Sequence, residues 1–236
     1  MFTEKKTIEL CDCDYTGKLK PEVLFIRFGE IATNDAYHTH IYSHEMIGHY
    51  GWIVSKQTLK MKMPLYLDDV ITLTTEPRKG SHVIFPRIYK IEKEGEIVAT
   101  CSSTWTMFDL DQRKVIRPKE LGIDLSGLSQ NELEAPVTLF SRDDKKKVAS
   151  RIVSYSDVDV NGHMNNTRYV RLAYDLLPFD YHKDHVLKEL SINYKRELAP
   201  LAQVDLYLSR EEDQFFVEGI CEDECCFLMS LQFMTI

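Results

Sequence analysis

The sequence predicts an α+β fold built twice from one unit, a central helix followed by a curved antiparallel sheet that wraps it. Three observations carry this expectation. Two stretches have helical apolar periodicity: Leu24, Phe25, Phe28, Ile31 and Ala32 share one face of the first, and Tyr169, Leu172, Ala173 and Leu176 one face of the second. Each is followed by runs rich in Val, Ile, Thr and aromatic residues, separated by turn residues. The two halves also align. Residues 12–19 lie over 157–164 at an offset of 145, with both acids and the glycine coinciding (Asp12, Asp14 and Gly17 over Asp157, Asp159 and Gly162). The helix keeps the same phase. Residues 63–70 lie over 197–204 at an offset of 134, which sets Met63 against Glu197, and 102–105 lie over 230–233. The common order of these matches indicates an internal duplication.

Taken in order, residues 5–14 read as a strand that closes at Asp14-Tyr15-Thr16-Gly17. Pro21 and Glu22 suit the first turn of the helix that follows. Strands are expected over 51–62, 70–78, 82–92 and 97–108, joined by tight hairpins at Lys79-Gly80-Ser81 and Glu94-Gly95-Glu96. Apolar periodicity then fades, and the charge run 142–147 marks the end of an interdomain linker. A strand near Lys147 leads to the second helix, which Asn165 or Asn166 can cap and Pro178 stops. Further strands are expected over 187–197, 204–210, 215–221 and 226–234. The organisation is thus an N-terminal unit over 1–125, a linker over 126–146 and a C-terminal unit over 147–236.

Composition removes several classes of function. A net charge of −8 argues against broad nucleic-acid binding, which needs a basic face. No apolar run approaches the roughly 18 residues of a membrane helix. Residues 1–6 have neither the apolar core of a signal peptide nor an Arg/Ser-rich presequence, so the expectation is a cytoplasmic protein. The six cysteines read as reduced thiols, and neither Cys11/Cys13 nor Cys221/Cys225 has the Cys-x2-Cys spacing of structural zinc. His38, His40, His44 and His49 form a cluster. His44 and His49 are five apart, about 140° around a helix, so they cannot share a metal as i, i+4 histidines do.

The chemistry concentrates in residues 156–174. Asp157, Asp159, Asn161 and His163 occupy alternate positions, which an extended chain would turn to one face. They precede a helix N-terminus, where unpaired N–H groups favour negative charge. Alone, the same residues would also serve a loop that only turns and caps. The repeat separates the two readings, because the first copy keeps the acids and glycine but has Thr16 and Lys18 where the second has Asn161 and His163. Asp157 reads as a turn-former, and Asp159 belongs to both sets.

The run Asp157-Val-Asp159-Val-Asn161-Gly-His163-Met-Asn165-Asn166-x-x-Tyr169 resembles the signature of acyl-acyl carrier protein thioesterases of the bacterial and plant type. The Tyr194-Lys195-Arg196-Glu197 stretch looks like that family's second motif, and Trp52-Ile-Val with Pro64 is similar to its N-terminal half. The resemblance implies a tandem double hot-dog, each repeat a long helix wrapped by a sheet. It implies hydrolysis of fatty acyl-carrier thioesters, with an acyl pocket in the first half and a catalytic set of Asp159, Asn161, His163 and Glu197 in the second. Many relatives carry a Cys after the Glu; here that position is Leu198, so a cysteine mechanism is not expected. Lack of a plastid presequence fits a bacterial cytoplasmic enzyme.

A thioester's leaving thiol has a pKa of about 8.5, so departure needs little protonation. The N–H groups near Asn165 and Asn166 are expected to hold the oxyanion. Glu197 and His163 would activate water or poise Asp159 as nucleophile, with Asn161 orienting the reactants. An acidic carrier protein is expected on Arg142, Lys145, Lys146, Lys147, Arg151, Lys195 and Arg196. No metal, cofactor, nucleic acid or membrane is expected as partner, and a homodimer is compatible with the reading. An acyl-coenzyme A thioesterase and a non-catalytic acyl-binding protein on the same fold remain alternatives.

Overall fold

A computed structural model describes residues 1–131 and 134–235. Positions 132 and 133 of the expected linker, and 236 at the end of the C-terminal unit, lie outside the described residues. The elements run β1 (Phe2–Thr7), α1 (Pro21–His38), β2 (Tyr50–Met61), β3 (Val70–Pro77), β4 (Phe85–Lys93), β5 (Glu96–Asp109) and β6 (Lys114–Val115). Then come β7 (Lys146–Ile152), α2 (Asn166–Tyr174), α3 (Tyr181–Asp184), β8 (His185–Tyr194), β9 (Gln203–Glu211), β10 (Gln214–Cys221) and β11 (Glu224–Thr235). One eleven-stranded antiparallel sheet holds them in the order β1-β3-β4-β5-β2-β8-β11-β10-β9-β7, with β6 on β5. The order β3-β4-β5-β2 is matched by β9-β10-β11-β8, so the halves meet edge to edge at β2 and β8. This is a tandem double hot-dog.

Each helix is held by its apolar stripe. Phe28 and Ile31 of α1 are buried, and the Phe28 ring sits 4.7 Å from that of Tyr89 on β4. Tyr169, Val170 and Ala173 of α2 are buried, and Tyr169 meets Phe227 of β11 edge-on at 5.1 Å. The two helices differ in length: α1 has 18 residues and α2 only 9. Pro178 lies beyond the end of α2, at the approach to α3, a short turn that periodicity does not reveal.

Several boundaries differ from expectation. The strand expected to Asp14 ends at Thr7, because Leu10–Asp12 form a 3-10 turn closed by Glu9 N donating to Asp12 Oδ2 at 3.1 Å. The strand expected from His82 starts at Phe85, since His82 has a φ of +51° and Ser81 and Ile84 close a turn first. The expected linker is not a loose tether. Residues 137–139 cross the outer face of the β2–β8 seam, where Val137 N donates to Thr58 Oγ1 at 2.9 Å and Leu139 N to Asn193 Oδ1 at 2.8 Å. Asn193 Nδ2 returns a bond to Val137 O at 2.8 Å. No helix among the described residues is long and apolar enough to cross a membrane.

β10 and β11 change register beside Gly219, and the Phe227 ring packs directly over that glycine. A Cβ there would overlap the ring. Gly219→Ala should lower unfolding stability by about 2 kcal/mol through overpacking, read by denaturant melts against the parent.

Candidate active site

The repeat is visible bond by bond. Asp12 N donates to Glu9 O and Asp157 N to Ser154 O, both at 3.0 Å. Asp14 N donates to Lys18 O and Asp159 N to His163 O, and Gly17 and Gly162 share a φ of +79°. These pairs keep the offset of 145. The later block needs a correction: Leu19 N donates to Leu65 O where Met164 N donates to Leu198 O, and Asp68 and Leu201 share positive φ values of 67° and 64°. The offset there is 133, so Glu197 stands where the first half has Pro64, not Met63. A sequence match without gaps could not fix a one-residue slip in a loop.

This framework builds the site. Asp157 does not alternate with the others along a strand, because Tyr155–Asp157 is a 3-10 turn and Asp157 Oδ2 accepts from Ser154 N at 2.9 Å. Asp159 shapes the next turn: Oδ1 accepts from Asn161 N at 2.9 Å and Oδ2 from Asn165 Nδ2 at 3.1 Å. The bond from Met164 N to Leu198 O, 2.9 Å, draws the loop onto the chain just past β8. The residues before each partner thereby meet, with His163 Nε2 3.4 Å from Glu197 Oε2. Their side chains are 28% and 41% exposed, open enough to exchange protons with solvent.

Asn165 is the N-cap of α2, its side chain accepting from Thr167 N at 3.0 Å while its own N–H donates to Asp157 O at 2.8 Å. Its backbone donor is therefore taken. The Asn166 N–H has no partner among the described residues, so of the two backbone N–H groups expected at the oxyanion only this one is unengaged. Tyr194 Oη donates to Asn166 O at 3.1 Å and its ring meets Tyr169 edge-on at 5.4 Å. Burial pushes both phenols well above their ordinary range and keeps them neutral.

Asp159, Asn161, His163, Asn166 and Glu197 line one end of a cavity of about 450 Å³. Most of the rest of its wall comes from the first half, including Ala32, Ala36, Ile41, Trp52, Val54 and Trp105, and the second half adds Met164, Tyr169 and Tyr194 among others. Among the described residues no cysteine lines it. Burial raises the thiols of Cys101 and Cys226, the latter to about 11, which leaves them protonated and poorly nucleophilic near neutrality.

Sequence reasoning missed Arg113. It sits at the tip of the β5–β6 hairpin with a φ of +51°, and its Nη2 is 3.7 Å from Glu197 Oε2, so the first half brings a cation to the second half's carboxylate. Nothing in the local sequence signals a contact between residues so far apart. The expected docking cations fare unevenly. Arg142 pairs with Asp144 and Glu211, Lys145 with Glu218, Lys147 with Asp205, and Arg196 with Glu222 and Glu224. Lys146, Arg151 and Lys195 make no ion pair among the described residues, and Lys195 and Arg196 line the cavity.

Comparison with known proteins gives a consistent answer. Residues 1–121 match the family model of the acyl-ACP thioesterase N-terminal domain, and residues 140–221 that of the C-terminal domain. The chain is 26% identical over 113 residues to the chloroplastic dodecanoyl-[acyl-carrier-protein] hydrolase of Cinnamomum camphora, covering 44% of this chain and 30% of that one. It is 27% identical over 165 residues to the chloroplastic palmitoyl-acyl carrier protein thioesterase of Cuphea hookeriana, covering 62% and 38%. The chain thus spans less than half the length of the curated relatives it matches. Among solved structures, an acyl-ACP thioesterase from Bacteroides thetaiotaomicron superposes with a TM-score of 0.88 at 20% identity over 98% of this chain and 97% of that one. The 12:0-ACP thioesterase of Umbellularia californica gives 0.84 at 14% identity over 100% and 97%. At these identities the structures establish the shared fold.

Because the buried thiols stay protonated, iodoacetamide at neutral pH should label exposed Cys11 and spare Cys101 and Cys226 in the native protein, as read by peptide mass mapping. Rapid native-state labelling of Cys226 would contradict the assignment.

Proposed function

This chain belongs to the acyl-ACP thioesterase family, and on that premise we propose that it hydrolyses the thioester between a fatty acyl chain and the phosphopantetheine arm of an acyl carrier protein. The observation that carries the reading is the His163–Glu197 pair at the mouth of a cavity whose remaining wall is largely apolar. An acyl chain lies in the first-half wall, formed by the unit over 1–125, and its carbonyl sits at the end formed by the unit over 147–236.

In the proposed reaction Glu197, partnered by His163, takes a proton from water, whose oxygen bonds to the thioester carbonyl carbon. The Asn166 N–H, opening α2, and the Asn161 side chain stabilise the oxyanion. When the C–S bond breaks, the thiolate leaves and takes the proton back from the pair. Asp159 acts as a positioning residue: each of its oxygens already accepts a hydrogen bond, which supports the water route over direct attack by Asp159. Arg113 supplies a positive charge beside Glu197. The carrier docks through the cations left free, Lys146, Arg151 and Lys195, and Lys195 lies where the arm enters.

Single turnover in heavy-oxygen water should place the label in the released fatty acid and none in Asp159. Label in the Asp159 carboxylate, found by peptide mass spectrometry, would establish an anhydride route instead.

The neutralised cations make coenzyme A esters the competing substrate. One acyl chain presented on carrier and on coenzyme A should give the higher kcat/KM on carrier, falling as salt rises. Equal values on both donors, insensitive to salt, would make the chain a coenzyme A thioesterase.

A further inference from the structure

β2 carries a bulge where it passes the active site. Val54 stands opposite Trp105 and Lys56 opposite Thr104, so Ser55 is one residue more than β5 supplies. An extra residue of this kind re-aims the side chains that follow it. Before it, Trp52 and Val54 line the cavity. After it, Lys56 and Thr58 bond the segment over 137–138 on the outer face, which turns Gln57 and Leu59 inward. Leu59 is 0% exposed and belongs to the core. Gln57 is a carboxamide only 4% exposed, at a position where the pattern calls for an apolar side chain.

Its neighbours fix how that amide is aimed. Tyr194 Oη lies 3.4 Å from Gln57 Oε1 and 3.1 Å from Asn166 O, and its single proton serves both acceptors. The carbonyl end of the amide is thereby tied down. The Nε2 end carries two N–H donors and has no partner among the described residues. Gln57 lines a cleft of about 630 Å³ between α1 and the start of α2. Thr33, Val54, Trp105, Asn161 and Asn166 line both this cleft and the acyl cavity. The two spaces therefore adjoin at Asn161 and Asn166, the residues to which the proposed reaction gives the oxyanion. Buried N–H donors without an acceptor cost stability, and a leucine here would avoid that cost.

We infer that Gln57 is a further catalytic residue, whose Nε2 donates to the thioester carbonyl oxygen as that oxygen becomes an anion. The inference rests on the thioesterase reading. When the water oxygen bonds to the carbonyl carbon, the C=O π pair moves onto the oxygen. Gln57 then joins the Asn166 N–H and the Asn161 side chain around it, and gives up no proton. As the C–S bond breaks the carbonyl re-forms and the charge is gone. A donor that meets chiefly the developing charge raises kcat without tightening substrate binding. The repeat that lacks the acid and base thus supplies part of the chemistry.

The test starts with Gln57→Leu, which removes the donors at similar volume. It should lower kcat about 10²-fold and leave KM scarcely changed, with a Tm equal to the parent's or higher. Gln57→Glu keeps the shape, sets a carboxylate against the oxyanion, and serves if the leucine variant does not fold. Its rate relative to the parent at the same pH should be lowest near neutrality and recover as pH falls and the carboxyl takes a proton. Parental kcat from a folded variant of either kind overturns the inference. So does a loss of kcat that comes with a lower Tm in Gln57→Leu, or with a ratio insensitive to pH in Gln57→Glu, because those mark a structural role. If the parent hydrolyses no thioester, the hydrolase reading fails instead, and binding decides the amide on its own. A long-chain alkyl trifluoromethyl ketone, whose hydrate sets an oxygen where the oxyanion forms, is titrated by calorimetry beside the matching fatty alcohol. The parent should bind the ketone about tenfold or more tighter than Gln57→Leu does, and the two should bind the alcohol alike. Equal affinities for the ketone, or none in the parent, overturn the inference.

Discussion

The site depends on the antiparallel pairing of β2 with β8. This seam, in register from Lys56 opposite Asn193 to Lys60 opposite Glu189, joins two half-sheets that could otherwise close separately. It brings the chain leaving β8, with Lys195, Arg196 and Glu197, alongside the start of β2, whose Trp52 and Val54 wall the cavity. Chemistry from one repeat thereby opens into space from the other. The seam is itself polar on its outer face: Thr58 Oγ1 and Ser191 Oγ are 3.0 Å apart, and Asn193 is 1% exposed. Such groups are costly to bury unless bonded. The segment over 137–139 bonds to Thr58 and Asn193, so the connection between repeats also covers their junction.

The duplication shows how one framework carries different side chains in its two copies. Both loops fold alike because Asp14 and Asp159 each bind the backbone N–H two residues on, at 2.7 and 2.9 Å, and a glycine takes the left-handed position that follows. What the second copy adds is His163 and Glu197. In the first copy Lys18 replaces the histidine, and its ammonium donates to the carbonyls of His182, Lys183 and His185 at 2.7, 3.0 and 3.3 Å. Pro64 replaces the glutamate. The first loop thus ties the repeats together through Lys18, and the second holds His163 against Glu197 at the cavity.

Much of this architecture was legible in the sequence because it follows from local periodicity. The strands β2, β3, β5 and β8 to β11 and the start of α1 lie within a few residues of their expected bounds, since alternating Val, Ile and Thr and a proline at the first helical turn are local signals. Asn165 as cap was readable for the same reason. Contacts between distant segments were not. Ser191 and Asn193 alternate with buried Leu190 and Ile192, a pattern that implies an outer face open to water; the connecting segment covers it. Arg113 reaches Glu197 only because a hairpin from the other repeat arrives there, and Arg142, Lys145 and Lys147 meet carboxylates on β9 and β10. At the site itself, residue types in the motif named the participants. Their division of labour needed the hydrogen bonds, which commit Asp159 and Asn165 to shape and leave His163, Glu197 and the Asn166 N–H available.

The central claim is that His163 and Glu197, drawn together by one backbone bond between their neighbours, act as a single unit. A double-mutant cycle in kcat/KM on an acyl-carrier thioester measures this directly, with His163→Ala, Glu197→Gln and the pair compared after each variant is shown to fold. The account predicts that either single change costs about 10²–10⁴-fold and that the double variant is scarcely slower than the worse single one, as groups acting together require. Losses that multiply across the cycle would show two independent contributions and contradict it.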